Sequence, residues 1–167
     1  MAYNILGINP GHNGSAALVS NGKLVYYLEE ERLSREKRDG NPFRAMIDIC
    51  SKYKIDELVI GGTNDPSEHN KLPWNDNTPY ESLILKYYPK LKTTFANHIH
   101  HKLHATTAFF NSGFKNASVI IIDGAGTRTV EGNNYGFECE TIFKGTHLNL
   151  DPIYTSIWSP LDRKSVV

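Results

Sequence analysis

The chain has 167 residues, with 18 basic and 18 acidic side chains, 40% hydrophobic residues and two cysteines. A formal charge of zero excludes a general nucleic-acid binder, which needs a surplus of Lys and Arg over phosphate, and the longest apolar run, Val119 to Ile122, is too short to span a bilayer. No basic-then-apolar pattern opens the N-terminus and Cys50 and Cys139 lack CxxC spacing, so the expectation is one domain with reduced thiols, soluble and cytoplasmic.

Tyr3 to Ile8 reads as a short apolar strand ending in the turn-rich loop Asn9-Pro10-Gly11-His12-Asn13-Gly14. Ser15 to Val19 resumes a strand, and Asn21-Gly22 is a type I′ hairpin signal before Lys23 to Leu28. The charged run Glu29 to Arg38 reads as solvated or partly helical. Asn41-Pro42 opens a predicted helix to about Tyr53, with Pro42 at the first helical position and Phe43, Met46, Ile47 and Cys50 on one face. Glu57 to Gly61 predicts a short buried strand, and Asn64 to Thr78 a long surface loop rich in Pro, Asn and Asp. Pro79 to Tyr88 predicts a helix stopped by Pro89. A strand over Lys92 to Asn97 and a helix over His100 to Asn111 follow. Ala117 to Ile122 predicts the clearest buried strand, ending in Asp123-Gly124-Ala125-Gly126-Thr127. Two strands, near Tyr135 to Phe143 and Thr146 to Thr155, close the series. This order predicts an α/β fold with a mixed sheet, in which hairpins add antiparallel edges to βαβ units.

Three segments carry candidate chemistry. In the first loop, the backbone of Gly11 and the side chains of Asn13 and Ser15 suit an anion, although the spacing and lysine of a Walker loop are absent. A plain strand-to-strand turn is the alternative for the glycines, but a turn has no need of the imidazole of His12, which can act as acid or base near neutral pH. The second segment is a histidine cluster: of seven histidines, four (His98, His100, His101, His104) fall within seven consecutive residues. On a helix His100 and His104 share a face and can chelate one metal, whereas His101 sits about 100° round and points elsewhere, towards a substrate or a supporting partner. A solvated histidine-rich turn is the competing reading. Third, Asp123 ends a strand beside a glycine loop, which suits a metal or a phosphate-bound metal, or else an Asx-turn. In the charged run, Arg32 and Lys37 are candidate phosphate contacts on a face that otherwise reads as solvated.

Taken together, Gly11-His12-Asn13-Gly14-Ser15, Glu29-Glu30-Glu31-Arg32-Leu33-Ser34-Arg35-Glu36-Lys37, His100-His101-Lys102-Leu103-His104-Ala105 and Asp123-Gly124-Ala125-Gly126 resemble the NodU/CmcH/TobZ family of O-carbamoyltransferases. The family pattern is GH(D/N)xS, then EER(F/L)xRxK, then HHxxHA, then a strand ending in DGxG. The resemblance covers essentially residues 1 to 130. It implies a mixed-sheet, ribonuclease-H-like/actin-like (ASKHA) half-domain with an N-terminal β-hairpin and flanking helices. It also implies a two-step activity, in which a YrdC-like domain makes carbamoyl-adenylate from carbamoyl phosphate and ATP, and a metal-bearing domain passes the carbamoyl group to a hydroxyl of a small-molecule acceptor.

By the same resemblance His100, His104 and Asp123 match the ligands of a divalent metal, with Fe2+ implied by the family; Zn2+ and Mn2+ suit the same donors. His12 and His101 become the catalytic candidates. Gly11, His12, Asn13, Ser15, Arg32, Lys37, Gly124 and Gly126 become the candidates for binding ATP-derived substrate. Family members are much longer, so residues 1 to 167 are expected to be an N-terminal portion of a catalytic domain, with a C-terminal half and a YrdC-like portion supplied in cis or in trans, and weak or inactive alone. Lys102 departs from the apolar residue usual in the family, and the pattern cannot be followed beyond about residue 140. No nucleic acid or membrane partner is expected. Two other readings are open: an ATP-hydrolysing or kinase-like enzyme of the same fold, and a non-catalytic half-fold interaction subunit.

Overall fold

A computed structural model describes residues 2–11, 13–62, 78–131 and 134–159. They divide into two units, one up to residue 96 and one from residue 97 onward. His12, Trp74 and nearly all of the segment from Asn64 to Thr78 lie outside the described residues.

In the first unit the elements are β1 (Asn4–Asn9), β2 (Ser15–Ser20), β3 (Lys23–Glu29), α1 (Glu31–Ser34), α2 (Phe43–Lys52), β4 (Glu57–Ile60), α3 (Thr78–Tyr87) and β5 (Lys92–Phe95). Asn21 and Gly22 both take positive φ, 48° and 78°, which is the type I′ geometry that matches the twist of paired strands. The hairpin it closes pairs Ser20 with Lys23. β1 then pairs antiparallel with β2 and parallel with β4, and β4 pairs parallel with β5. The strand order is β3-β2-β1-β4-β5. This is the expected mixed sheet with an N-terminal hairpin and flanking helices, consistent with a ribonuclease-H-like or actin-like half-domain.

Period-2 alternation explains its core. Leu6 and Ile8, Ala16 and Leu18, and Leu58 and Ile60 all point to one face, where they pack with Ala45, Met46 and Ile49 of α2 and with Tyr80 and Ile84 of α3. The buried stripe of α2 therefore runs through Ala45, Met46 and Ile49, and Ile47, placed by the sequence on the inner face, is half exposed. Cys50 flanks this core, where burial pushes its thiol up to about 11.

The second unit begins with a 3-10 turn (Asn97–Ile99) and α4 (His100–Ser112), followed by β6 (Asn116–Ile122), β7 (Arg128–Glu131), β8 (Asn134–Thr146) and β9 (Asn149–Trp158). Helix α4 ends at Gly113, which takes the left-handed conformation usual for a C-terminal cap. β8 is the spine of an antiparallel sheet. β9 runs along one edge of it, while β6 (on residues 140–146) and β7 (on residues 134–137) follow one another along the other. Ala105 and Phe109 of α4 pack on Val119, Phe143 and Leu150. The run Ala117 to Ile122 is not buried on both faces as its composition suggests: Val119 is buried, but Ile120 and Ile122 are 61% and 77% exposed. Among the described residues no helix is long and apolar enough to cross a membrane.

Candidate metal centre

The registers explain how Asp123 comes to be where it is. Ile122 pairs with Glu140 and Arg128 with Phe137, so residues 123–127 are more chain than the facing stretch of β8 can accommodate, and they bow out of the edge as a loop. Both ends of that loop are tied to β8. Asp123 donates its N–H to the Cys139 carbonyl at 2.8 Å, and Gly126 donates to the Glu138 carbonyl at 2.7 Å. Thr127 donates its N–H to Glu138 Oε2 at 3.1 Å, and its own Oγ1 accepts the His100 N–H at 3.2 Å, satisfying one of the free donors at the start of α4. The sequence reading treated Thr127 only as part of the glycine loop and passed over Glu138. Neither carries a spacing signal that would have marked it.

On α4 the four-residue spacing brings the two rings together. His100 Nε2 and His104 Nε2 are 3.0 Å apart, and Asp123 Oδ2 lies 2.9 Å from the first and 3.9 Å from the second. Three donors at roughly 2.0–2.2 Å from one ion lie about 3–3.5 Å apart; the 3.0 and 2.9 Å separations about His100 Nε2 match that spacing, and the 3.9 Å from Asp123 Oδ2 to His104 Nε2 is wider than it. Gly124 donates its N–H to Asp123 Oδ1 at 2.6 Å, leaving Oδ2 turned towards the rings. Burial raises the Asp123 carboxyl, but the His100 bond, the Gly124 N–H and the charge of both imidazoles outweigh it, and the group ends below the usual carboxylate range. Burial, helped by the charge of His100, lowers His104, which favours the neutral imidazole that a metal needs. The donor set, two imidazoles and one carboxylate, suits iron, zinc or manganese.

His101 takes the opposite direction. It is buried beneath the loop, with Nδ1 2.7 Å from Thr141 Oγ1 and with Nε2 lacking a hydrogen-bond partner among the described residues. Burial is the main reason its pKa lies below the ordinary histidine value. Gly126 is tight against this ring: a β-carbon there would lie 2.5 Å from Nε2 and 2.7 Å from Cδ2.

No protein-family model matches the chain. Curated proteins that align with it include two from different organisms. The uncharacterized protein MJ1051 of Methanocaldococcus jannaschii is 32% identical over 126 residues, which is 73% of this chain and 22% of that protein. Nodulation protein NolNO of Sinorhizobium fredii is 27% identical over 136 residues, 69% of this chain and 20% of that protein. The chain is distantly similar to a nodulation protein. It spans about a fifth of the length of these curated relatives.

The remaining candidates belong to the first unit. Gly11 and Gly14 donate their N–H groups to the carbonyls of Gly40 and Asp39, at 2.9 and 2.8 Å, so the loop that holds Asn13 and leads to Ser15 is clasped by the segment after α1. A β-carbon at Gly14 would come within 2.8 Å of the Asp39 carbonyl oxygen, which is why only glycine fits. Arg32 is exposed and faces Glu29 and Glu31 at 3.5 and 3.7 Å, and Lys37 is exposed. Glu30 is different from its charged neighbours. It is buried, and its carboxylate accepts the N–H groups of Arg44 and Ala45 at 3.1 and 2.8 Å, the second and third donors of α2. Reading the run as a solvated face missed this residue.

Proposed function

We propose that the chain carries the metal-bearing part of a carbamoyltransferase, passing a carbamoyl group from carbamoyl-adenylate to a hydroxyl of a small-molecule acceptor. One observation carries this reading: His100, His104 and Asp123, from two segments that resemble the carbamoyltransferase pattern, bring their ligand atoms within 4.8 Å of one another. The likeness to NolNO supports the same reading. A divalent ion held there would supply electrophilic polarisation of a carbonyl or phosphate oxygen.

The chain's own residues then divide the work. Gly124 fixes the Asp123 carboxylate through its N–H, so that Oδ2 faces the rings, and the helix holds both imidazoles without further adjustment. In the transfer the acceptor oxygen bonds to the carbamoyl carbon, the bond from that carbon to the adenylate phosphate oxygen breaks, and AMP leaves. The hydroxyl proton needs a base; the His101 ring is enclosed, and the resemblance to the family pattern points to His12 for that role. By the resemblance to the family pattern, Asn13, Ser15, Arg32 and Lys37 serve the anionic part of the substrate; the Gly11 N–H is already donated to the Gly40 carbonyl.

Carbamoyl-adenylate, made by a separate adenylate-forming enzyme from carbamoyl phosphate and ATP, tests the proposal when it is added to the chain with a divalent metal and a polyol acceptor. AMP release that needs the metal and disappears in the double variant His100→Ala/His104→Ala is the expected result. From carbamoyl phosphate and ATP without the second enzyme, no release is expected. ATP turnover that survives the double substitution contradicts the proposal and favours a kinase-like enzyme of the same fold.

A further inference from the structure

We infer that His101 is a positioning residue for the metal centre: its buried ring is the spacer that sets how the loop bearing Asp123 lies against the helix bearing His100 and His104. This rests on the metal reading proposed above. Three observations lead to it. His101 is 1% exposed, on the inner face of α4 with Ala105 and Phe109. One edge of the ring is fixed by the 2.7 Å contact between Nδ1 and Thr141 Oγ1, and Thr141 is itself buried. The opposite edge, Nε2 and Cδ2, is pressed against Gly126 so closely that no side chain fits there.

A buried imidazole nitrogen without a partner is costly, and an apolar side chain could fill the same volume without that cost. Filling space is therefore an incomplete account of this residue. What the imidazole provides is a rigid plate of fixed thickness, anchored to the sheet at one edge and carrying the loop on the other. The loop is already tied to β8 through Asp123 and Gly126 and to α4 through Thr127. Those bonds set its ends; the ring under Gly126 sets its height. With the ring shortened, Gly126 can sink towards the sheet, and the 2.9 Å approach of Asp123 Oδ2 to His100 Nε2 is lost.

The test is Co2+ titration of the full chain, read as affinity and as the ligand-field absorption of the bound ion, with thermal unfolding followed in parallel. His101→Asn places a polar atom near Thr141 but removes the edge that meets Gly126; His101→Gln extends a polar atom to where Nε2 lies. Gly126→Ala drives a methyl into the ring. Loss of a group that hydrogen-bonds a metal ligand weakens metal binding roughly 10- to 100-fold. His101 acts one contact further out, and a weakening of about 10-fold, the lower end of that range, is expected for His101→Asn and for Gly126→Ala, with an altered absorption band. His101→Gln is expected to keep more affinity than His101→Asn, and the double variant Gly126→Ala/His101→Asn to regain affinity over either single one. Equal Co2+ affinity and an unchanged band in His101→Asn, together with loss of Co2+ in His104→Ala, overturn the positioning role and leave the metal reading intact. Wild-type binding in His104→Ala overturns both.

Discussion

Glu57 shows how one buried carboxylate ties β4 to β5 and to Tyr3, just ahead of β1. Its Oε1 accepts from Lys92 Nζ at 2.7 Å and from Thr94 Oγ1 at 3.1 Å, and its Oε2 accepts from Tyr3 Oη at 3.0 Å. The Lys92 bond is the main cause holding this carboxyl below its usual range; burial opposes it, and Tyr3 and Thr94 add to the lowering. Because the folded-state pKa is depressed, the stabilisation is complete above the unfolded value of about 4.3 and is lost as pH falls through the folded value. Glu57→Gln is therefore expected to unfold more easily than wild type at neutral pH, with the difference shrinking as the pH falls below the unfolded value; urea unfolding at a series of pH values measures it. A difference that grows on acidification would contradict this. The sequence shows an acidic residue at the start of a short strand, but its three partners come from positions 3, 92 and 94, and nothing local announces them.

Helix α2 illustrates what period and capping rules can and cannot read. Pro42 marks its start, and the helix runs over Phe43–Lys52, close to the predicted span. Its N-terminus has no capping side chain of its own; Glu30 reaches across from a separate segment to accept the Arg44 and Ala45 donors. Glu30→Ala leaves two N–H groups without partners in a buried place, and a loss of about 1–3 kcal/mol is expected from caps and charge-assisted hydrogen bonds of this kind. Chemical denaturation measures it, and an unchanged midpoint would contradict the assignment. The strand β6 carries the complementary lesson. A run of branched apolar residues fits a strand covered on both faces as well as one covered on a single face. Only the pairing with β8 shows that Val119 faces α4 while Ile120 and Ile122 face away. β7 was missed because Arg128–Glu131 is too short and too polar to show alternation.

Among the described residues the order of elements other than β7 was legible, from the Asn21-Gly22 hairpin to the closing strands, because turn residues and apolar runs punctuate it clearly. The convergence of His100, His104 and Asp123 was legible in part. The spacing of the two histidines already fixes their shared face, whereas the approach of Asp123 depends on a bowed loop between β6 and β7 that no local signal describes. The division into two units at residue 96 was not legible, since no linker-like composition marks it. The central claim is that these three side chains hold a divalent metal, and anaerobic Fe2+ loading followed by iron analysis of the desalted protein tests it directly. About one iron per chain is expected for wild type, and almost none for His104→Ala or Asp123→Ala with the fold intact by circular dichroism. Iron retained equally by the variants, or none retained by wild type at saturating Fe2+, would contradict it.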